Sequence, residues 1–190
     1  NYSYGAAMVF LPHVVGSVQS ASGPLTSWSS IVANTRLFVA FGGVSLKNGQ
    51  VVSGGMGDHS YEAWLRRAAA AGVRFVNVSP LRDDGPDFLD AQWLAIRPNT
   101  DTALMLALAH TLVAEGLHDR GFLDRYCTGA ERFVAYLMGE TDGGAKDAEW
   151  AAAITGIDAA TIRELARRMA AERTMVTAAW SLQRSDHGEQ

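Results

Sequence analysis

The sequence contains very little cysteine: Cys127 is the only one among 190 residues. A single thiol cannot build a disulfide framework, and it cannot supply the paired cysteines of a CxxC metal or iron–sulfur site. We therefore expect no iron–sulfur cluster in this segment. Long apolar runs are also missing, since each is interrupted before the roughly 18 to 20 residues that a membrane span needs. The sequence predicts no transmembrane helix.

An excess of basic charge is absent as well. The chain has 16 lysines and arginines against 20 aspartates and glutamates, which gives a formal net charge of -4 at pH 7. The aromatic residues are not interleaved with the basic ones, so the pattern does not favour a nucleic-acid partner. With 48% hydrophobic and 19% charged residues, the chain is instead typical of a globular protein that buries a sizeable core.

Three common catalytic signatures are missing. The glycine-rich stretch 53–59 (SGGMGDH) lacks the GxGxxG order directly after a strand, and no GxSxG motif is present. The histidines show no HxxxH spacing or similar ligand pattern; they are His13, His59, His110, His118 and His187. A simple NAD site, a serine hydrolase and a zinc site are therefore all disfavoured.

Predicted strands and helices alternate along the chain, which indicates an α/β fold with a largely parallel sheet. The apolar run 36–41 (RLFVAF) predicts a buried strand, and 61–71 predicts a helix that ends at Gly72. Asp101 and Asp158 are each predicted to cap a long helix. The remaining predicted elements are strands over 73–78, 93–96 and 173–180 and short helices within 119–137 and 147–153.

Polar segments follow three of the predicted strands: 42–47 (GGVSLK), 79–84 (SPLRDD) and 180–190. Ligands of open α/β sheets bind beyond the carboxyl ends of the strands. Lys47, Arg82 and Arg184 are the cations placed there to meet phosphates, and arginine adds a planar bidentate fork. A single cation on a loop is usually solvated surface, so the convergence of three favours a nucleotide site. The Gly- and Ser-rich stretches 17–30 and 42–57 are predicted to be long loops that serve this site.

Several strings of the chain, in order and at compatible spacing, resemble the dimethyl sulfoxide reductase family, which includes trimethylamine N-oxide and biotin sulfoxide reductases. The strings are NYSYGAAMVFLPHVVG, RPNTDTALMLALAHTLVAEGL, FLDRYCTG, YLMGETDG, KDAEWAAAITGIDAATIRELAR and AAWSLQRSDHGEQ. The resemblance covers essentially the whole chain. It implies a Rossmann-like, mostly parallel sheet flanked by helices, as part of a larger multidomain enzyme.

The ends of the chain predict an internal fragment. Asn1 is not an initiator methionine, and Gln190 follows an unfinished polar segment without a helix stop. The resemblance implies that residues 1–35 belong to a neighbouring domain that carries a metal-ligand serine. Residues 36–190 are then an incomplete α/β domain that binds a pterin guanine dinucleotide.

The resemblance also implies roles for particular residues. Ser3 matches the serine whose oxygen binds molybdenum, and a hard oxygen ligand suits a high-valent metal that transfers oxygen. Without the surrounding string, Ser3 is an ordinary turn or cap serine. Lys47 matches a lysine beside the pterin, with a loop lysine as the alternative. Asp101 matches an acid near the guanine base, a role compatible with helix capping.

Two further groups of residues complete the implied site. Ser79, Pro80 and Arg82 match the turn that contacts the nucleotide, although the family more often has aspartate where this chain has Ser79. Residues that match the segment packed against the pterin or its phosphates are Trp180, Gln183, Arg184, His187 and Gly188. For Trp180 the alternative is a core tryptophan. A second departure is 20–27 (SASGPLTS), which replaces a glutamate- and glutamine-rich run and bears on substrate choice.

The function implied by the resemblance is a molybdenum-dependent reductase that removes oxygen from S-oxides or N-oxides. The expected cofactor is molybdenum with two molybdopterin guanine dinucleotides. The expected substrates are biotin or methionine sulfoxide, trimethylamine N-oxide or dimethyl sulfoxide. An electron-donor protein or reduced nicotinamide and the remainder of the parent chain are the expected partners, and the location is the cytoplasm or, alternatively, the bacterial periplasm. The alternative function is an isolated, non-catalytic nucleotide-binding α/β domain, and the fragment alone is expected to be inactive.

Overall fold

The computed structural model describes residues 5–22, 26–49, 57–184 and 186. The chain divides into two compact units, Asn1–Ala95 with Arg173–Gln190 and Ile96–Glu172. The boundary predicted from the sequence between residues 35 and 36 stays a prediction.

The first unit is built on a four-stranded parallel sheet. Its strands are β1 (Leu37–Phe41), β2 (Arg74–Val78), β3 (Gln92–Leu94) and β4 (Thr174–Ala178), in the order β3-β2-β1-β4. Every neighbouring pair is parallel, and Leu37 of β1 lies opposite both Arg74 and Thr174. All five residues of β1 are buried, as in a strand that is covered on both faces. The predicted α/β fold is confirmed, and the carboxyl ends of the strands lie at one edge.

Helices cover one face of this sheet. The segment between β1 and β2 contains α4 (Tyr61–Ala70), which ends before Gly72 with φ +82°, as the sequence predicts. Leu65 of α4 packs with Phe38 of β1 and Phe75 of β2 in one buried cluster. The two phenylalanine rings are 5.3 Å apart, a distance at which aromatic pairs attract one another.

The amino-terminal part of the first unit is more helical than the sequence indicates. It contains α1 (Gly5–Val15), α2 (Gln19–Ser22) and α3 (Trp28–Asn34). The prediction of one long loop over 17–30 is therefore wrong. Ser27 caps α3, because its hydroxyl accepts a hydrogen bond from Ser30 N at 3.3 Å. A serine in a stretch whose composition is typical of a loop is therefore a helix cap here.

The second unit is helical. Its elements are α5 (Asp101–Ala114), α6 (Arg120–Tyr126), α7 (Ala130–Leu137), α8 (Ala148–Thr155) and α9 (Ala159–Ala171). Leu104 and Leu108 of α5 and Ile162 and Leu165 of α9 are buried and belong to the apolar faces of these two helices. Asp158 caps α9 as predicted, since its Oδ2 accepts from Thr161 N at 3.1 Å. None of the helices in the described part of the chain has both the length and the apolar character required to cross a membrane.

The predicted cap of α5 is wrong. Asp101 is the first residue of that helix, and Thr100 occupies the cap position without a side-chain cap bond. The Thr100 hydroxyl donates instead to the Arg97 carbonyl at 2.7 Å. Adjacent threonine and aspartate both suit a helix start, so sequence alone does not choose between them. Burial raises the pKa of the Asp101 carboxyl above its usual value.

Lys146 is a buried cation in the second unit, with 5% of its surface exposed. Its Nζ donates to both carboxylate oxygens of Asp142 at 2.9 and 2.7 Å and to the Gly144 carbonyl. It also lies 4.4 Å from the centre of the Tyr136 ring, within cation–π distance. The hydrogen bond from Lys146 holds the pKa of the Asp142 carboxyl below its usual value.

We expect the second unit to lose stability in acid through this pair. A carboxyl with a depressed folded-state pKa contributes stability that is fully present above its unfolded pKa, here 3.8, and is lost as pH falls through the folded pKa. Urea denaturation at pH 7 and pH 3 will measure the effect for the native chain and for Asp142→Asn. The deficit of the variant should be clear at pH 7 and should shrink at pH 3. An equal deficit at both pH values would contradict the coupling.

Candidate functional site

A cleft of about 640 Å³ opens at the carboxyl ends of β1 and β4. The loops after these two strands form one side, and the starts of α3 and α4 form the other. Its lining in the described part of the chain comprises Trp28, Gly42, Gly43, Val44, Ser45, Gly49, Asp58, Ser60, Tyr61, Ala179, Trp180, Ser181 and Arg184. Both the position and the volume are typical of a small-molecule site in an open parallel α/β sheet.

Gly42 and Gly43 form the turn that follows β1. Their φ values are +82° and +80°, in the left-handed region that favours glycine. A Cβ on Gly42 would lie 2.5 Å from the Ala179 Cβ, and one on Gly43 would lie 2.5 Å from the Asp84 carbonyl oxygen. The backbone of this turn is therefore pressed between the loops that follow the two neighbouring strands.

Asp84 joins the loops that follow β1 and β2. Its carboxylate accepts from Ser79 Oγ at 2.6 Å and from Lys47 Nζ at 3.3 Å. Its carbonyl accepts from Val44 N at 2.8 Å. The Ser79 hydroxyl also accepts from Leu81 N at 3.2 Å. Asp84 thus ties the loop after β1 to the loop after β2 through both its carboxylate and its carbonyl.

The side of the cleft that the starts of α3 and α4 form combines aromatic rings with polar groups. Trp28 stacks parallel to Phe38 at 6.2 Å and meets the edge of Tyr61 at 5.6 Å. Burial raises the pKa of Tyr61 to about 12, so its hydroxyl is protonated at neutral pH. The carboxylate of Asp58 accepts from the backbone N and the hydroxyl of Ser60 at 3.1 and 2.9 Å, which fixes the turn that enters α4.

This set of groups fits a pterin nucleotide in its chemistry. Flat aromatic side chains suit a ring system, the serine hydroxyls suit ribose or phosphate oxygens, and the Arg184 guanidinium suits a phosphate. Tyr61 is the first residue of α4, and Ser60 makes no side-chain cap bond there. At the start of this helix the Ser60 backbone N donates to the Asp58 carboxylate, which itself lines the cleft.

The structure brings only part of the predicted site to the cleft. Trp180 and Arg184 line it. Lys47 does not appear among the described lining residues; it is paired with Asp84, and its side chain is 64% exposed, whereas Ser79 is 1% exposed. Pro80 and Arg82 lie in the turn after β2 and do not appear among the described lining residues.

The other predicted residues have different positions. Asp101 belongs to the second unit, at the start of α5. Gln183 lies in a 3-10 turn over Leu182–Arg184, and its side chain is outside the described part of the structure. Ser3, His187 and Gly188 also lie outside the described residues. The roles implied for all these residues stay predictions.

Sequence reasoning missed three functional candidates: Tyr61, Asp58 and Asp84. Tyr61 was visible only as the first residue of a helix, although an aromatic residue at that point faces the carboxyl edge of the sheet. Asp58 lies in a stretch rich in glycine, and Asp84 closes the SPLRDD segment. Tyr61 contacts Trp28 and Asp84 contacts Lys47, residues far apart in sequence, and no local pattern reveals such pairs.

Comparison with known proteins gives one family over the whole chain: a model described as molybdopterin oxidoreductase matches residues 1–190. The chain is 48% identical over 189 residues to a biotin sulfoxide reductase of Cereibacter sphaeroides and 45% identical over 197 residues to trimethylamine-N-oxide reductase 1 of Escherichia coli K12. It is 41% identical over 190 residues to a dimethyl sulfoxide/trimethylamine N-oxide reductase of Rhodobacter capsulatus.

These matches cover 100% of the chain but only 25%, 23% and 23% of the three relatives. The chain thus spans about a quarter of their length. Among solved structures, acetylene hydratase from Pelobacter acetylenicus has a similar fold, with a TM-score of 0.63 and 23% identity. That match covers 93% of this chain and 22% of the hydratase.

Proposed function

From the premise that this chain belongs to the molybdopterin oxidoreductase family, we propose that its full-length protein is a molybdenum-dependent reductase that removes oxygen from S-oxides or N-oxides. The observation that carries the proposal is an identity of 41 to 48% along the entire chain to reductases named for such substrates. This favours an enzyme over a non-catalytic nucleotide-binding domain. The 190 residues alone are expected to be inactive.

The proposed cofactor is molybdenum with two molybdopterin guanine dinucleotides, and no iron–sulfur cluster is proposed for this segment. When bound, the group would supply a metal that can take the oxygen atom; the two electrons that restore the metal would come from the proposed donor, and two protons would release the oxygen as water. The residues of this chain bind and orient the group. Arg184 would hold a phosphate, and Trp180 would pack against a flat ring. Ser3 would supply an oxygen ligand to the metal.

Other residues of the cleft control access and hydrogen bonding. The Tyr61 hydroxyl stays protonated up to its pKa of about 12 and so remains a hydrogen-bond donor across the physiological range. Trp28 and Tyr61 form an apolar wall, which limits water on that side. The Gly42–Gly43 turn lets the loops after β2 and β4 pack closely beside the cleft, at points where a Cβ would meet Asp84 or Ala179.

Biotin or methionine sulfoxide is the preferred substrate class, followed by trimethylamine N-oxide and dimethyl sulfoxide. The relative named for biotin sulfoxide has 48% identity, against 45% for the trimethylamine-N-oxide reductase, and this small difference supports the order. The proposed electron source is a donor protein or reduced nicotinamide. The proposed location is the cytoplasm, with the bacterial periplasm as the alternative.

Elemental analysis of the purified full-length protein, with acid release of guanine nucleotide from the same sample, tests the proposal. We expect roughly one molybdenum and two guanine nucleotides per chain. If neither is found in protein from cells able to make the cofactor, the non-catalytic alternative holds. One molybdenum with a single nucleotide would retain the enzyme but contradict the proposed form of the cofactor.

Arg184→Gln tests the assignment of the cleft. Loss of one charge-assisted hydrogen bond to phosphate should accelerate nucleotide release about tenfold. Arg132→Gln is the matched control, because Arg132 is an exposed arginine on α7 in the second unit. Release is measured as free guanine nucleotide during incubation in dilute urea. Equal rates in the two variants would remove Arg184 from the binding site.

A further inference from the structure

We infer that Asp84 is a positioning residue for the proposed cofactor site, although it is absent from the lining of the cleft in the described structure. The inference rests on the proposed function only in its identification of the ligand. Asp84, through its carboxylate and its backbone carbonyl, fixes the loop after β1 that forms one side of the cleft. Removing it should disturb the site while leaving the sheet intact.

The main chain of Asp84 makes the first set of contacts. Its carbonyl accepts from Val44 N at 2.8 Å. The same oxygen would lie 2.5 Å from a Cβ on Gly43. Gly43, Val44 and Ser45 all line the cleft. The position of Asp84 therefore determines how close the backbone of Gly43 and Val44 lies to the loop after β2.

The side chain makes the second set. Oδ2 accepts from the buried Ser79 hydroxyl at 2.6 Å, a short distance typical of a hydroxyl bonded to a carboxylate. Oδ1 accepts from Lys47 Nζ at 3.3 Å. The Asp84 side chain is 17% exposed, whereas that of Lys47 is 64% exposed. The bond to Ser79 is therefore better shielded from water than the ion pair with Lys47, and it holds the carboxylate in place.

Two substitutions of Asp84 separate the loss of its negative charge from the loss of its hydrogen-bond acceptor. Asp84→Asn keeps the shape and an oxygen acceptor but removes the negative charge that faces Lys47. Asp84→Ala also removes the acceptor for Ser79, leaving a 1% exposed hydroxyl without this partner. Because a buried polar group that loses its partner costs more than an exposed ion pair, the alanine variant should have the larger effect.

The experiment uses the full-length protein loaded with its cofactor. Two quantities are measured: the rate of guanine nucleotide release in dilute urea and the hydrogen–deuterium exchange of the peptide that contains Val44. We expect Asp84→Ala to release nucleotide about tenfold faster and to exchange faster in that peptide. Asp84→Asn should show a smaller change in the same direction. In turnover assays, kcat should fall more than KM rises, because positioning rather than substrate binding is affected.

Two controls separate positioning from general destabilisation. Asp83→Asn removes a neighbouring exposed carboxylate in the same turn and should match the native protein. Val76→Ala removes buried methyl groups from β2 at a residue that lies outside both the described lining of the cleft and the hydrophobic cluster that contains Val44. Its unfolding midpoint is compared with that of Asp84→Ala. If Val76→Ala accelerates nucleotide release and Val44 exchange as much for an equal loss of stability, the inference is wrong.

The inference is also wrong if both Asp84 variants behave like the native protein. Its failure is distinct from failure of the proposed function, which would appear as native protein without molybdenum and guanine nucleotide. In that case the exchange of the Val44 peptide still decides whether Asp84 holds the loop. Faster exchange in Asp84→Ala, with no change in Asp83→Asn, supports the positioning role.

Discussion

Gly43→Ala in the full-length protein should abolish retention of guanine nucleotide and destabilise the first unit by roughly 3 kcal/mol. Two costs add at this position. The φ of +80° places an alanine in the left-handed region, and its Cβ would lie 2.5 Å from the Asp84 carbonyl oxygen and 2.6 Å from the Asp84 Cβ. Neither atom is the end of a flexible side chain, so the loop itself must move. Thermal unfolding and nucleotide content measure the two effects.

Gly72→Ala is the matched control for this substitution. Gly72 has nearly the same φ, +82°, but nothing lies within 4 Å of an added Cβ. That variant should lose only the conformational term, about 1 kcal/mol, and keep its nucleotide. Equal losses in the two variants would show that φ alone matters and that the contact with Asp84 does not. Full nucleotide retention by Gly43→Ala would contradict the proposed cleft.

Local patterns in the sequence predicted the sheet well because β1 and β2 are short apolar runs bounded by glycine or polar turns. Residues 36–41 and 73–78 were predicted as strands, and the structure has Leu37–Phe41 and Arg74–Val78. The helix signals also worked where one cap was available, as at Asp158. They failed where the local chemistry was ambiguous, at Thr100 and Asp101 and in the serine-rich segment that contains α3.

The sequence predicts which loops form the candidate site, but it does not predict which side chains of those loops face the cleft. Parallel strands place their carboxyl ends at one edge, so the segments after β1, β2 and β4 were correctly expected to lie close together. Which side chain faces the cleft depends on contacts between those loops. Arg184 lines it, whereas Lys47 pairs with Asp84 and is not among the described lining residues. The Ser79 hydroxyl bonds to Asp84, and this partner could not be read from the sequence.

Ser3→Ala should lower oxide reduction strongly while the cofactor stays bound. The resemblance implies that Ser3 supplies a side-chain oxygen to molybdenum, although Ser3 lies outside the described residues. Alanine has no donor atom, so oxide reduction should fall by at least about a hundredfold. Molybdenum and guanine nucleotide should remain bound, because most of the contacts to the group come from elsewhere. Turnover and metal analysis on one preparation measure both.

Ser29→Ala is the control, since Ser29 is an exposed serine of α3 whose hydroxyl contacts Ser27 at 3.0 Å. Ser3→Cys adds a graded test, because a thiolate binds the metal but is a softer donor than an alkoxide. The cysteine variant should therefore keep the metal, alter its spectrum and retain more activity than alanine. If Ser3→Ala retains both the native metal spectrum and native turnover, Ser3 is an ordinary turn serine, and the metal ligand must lie in another part of the full-length protein.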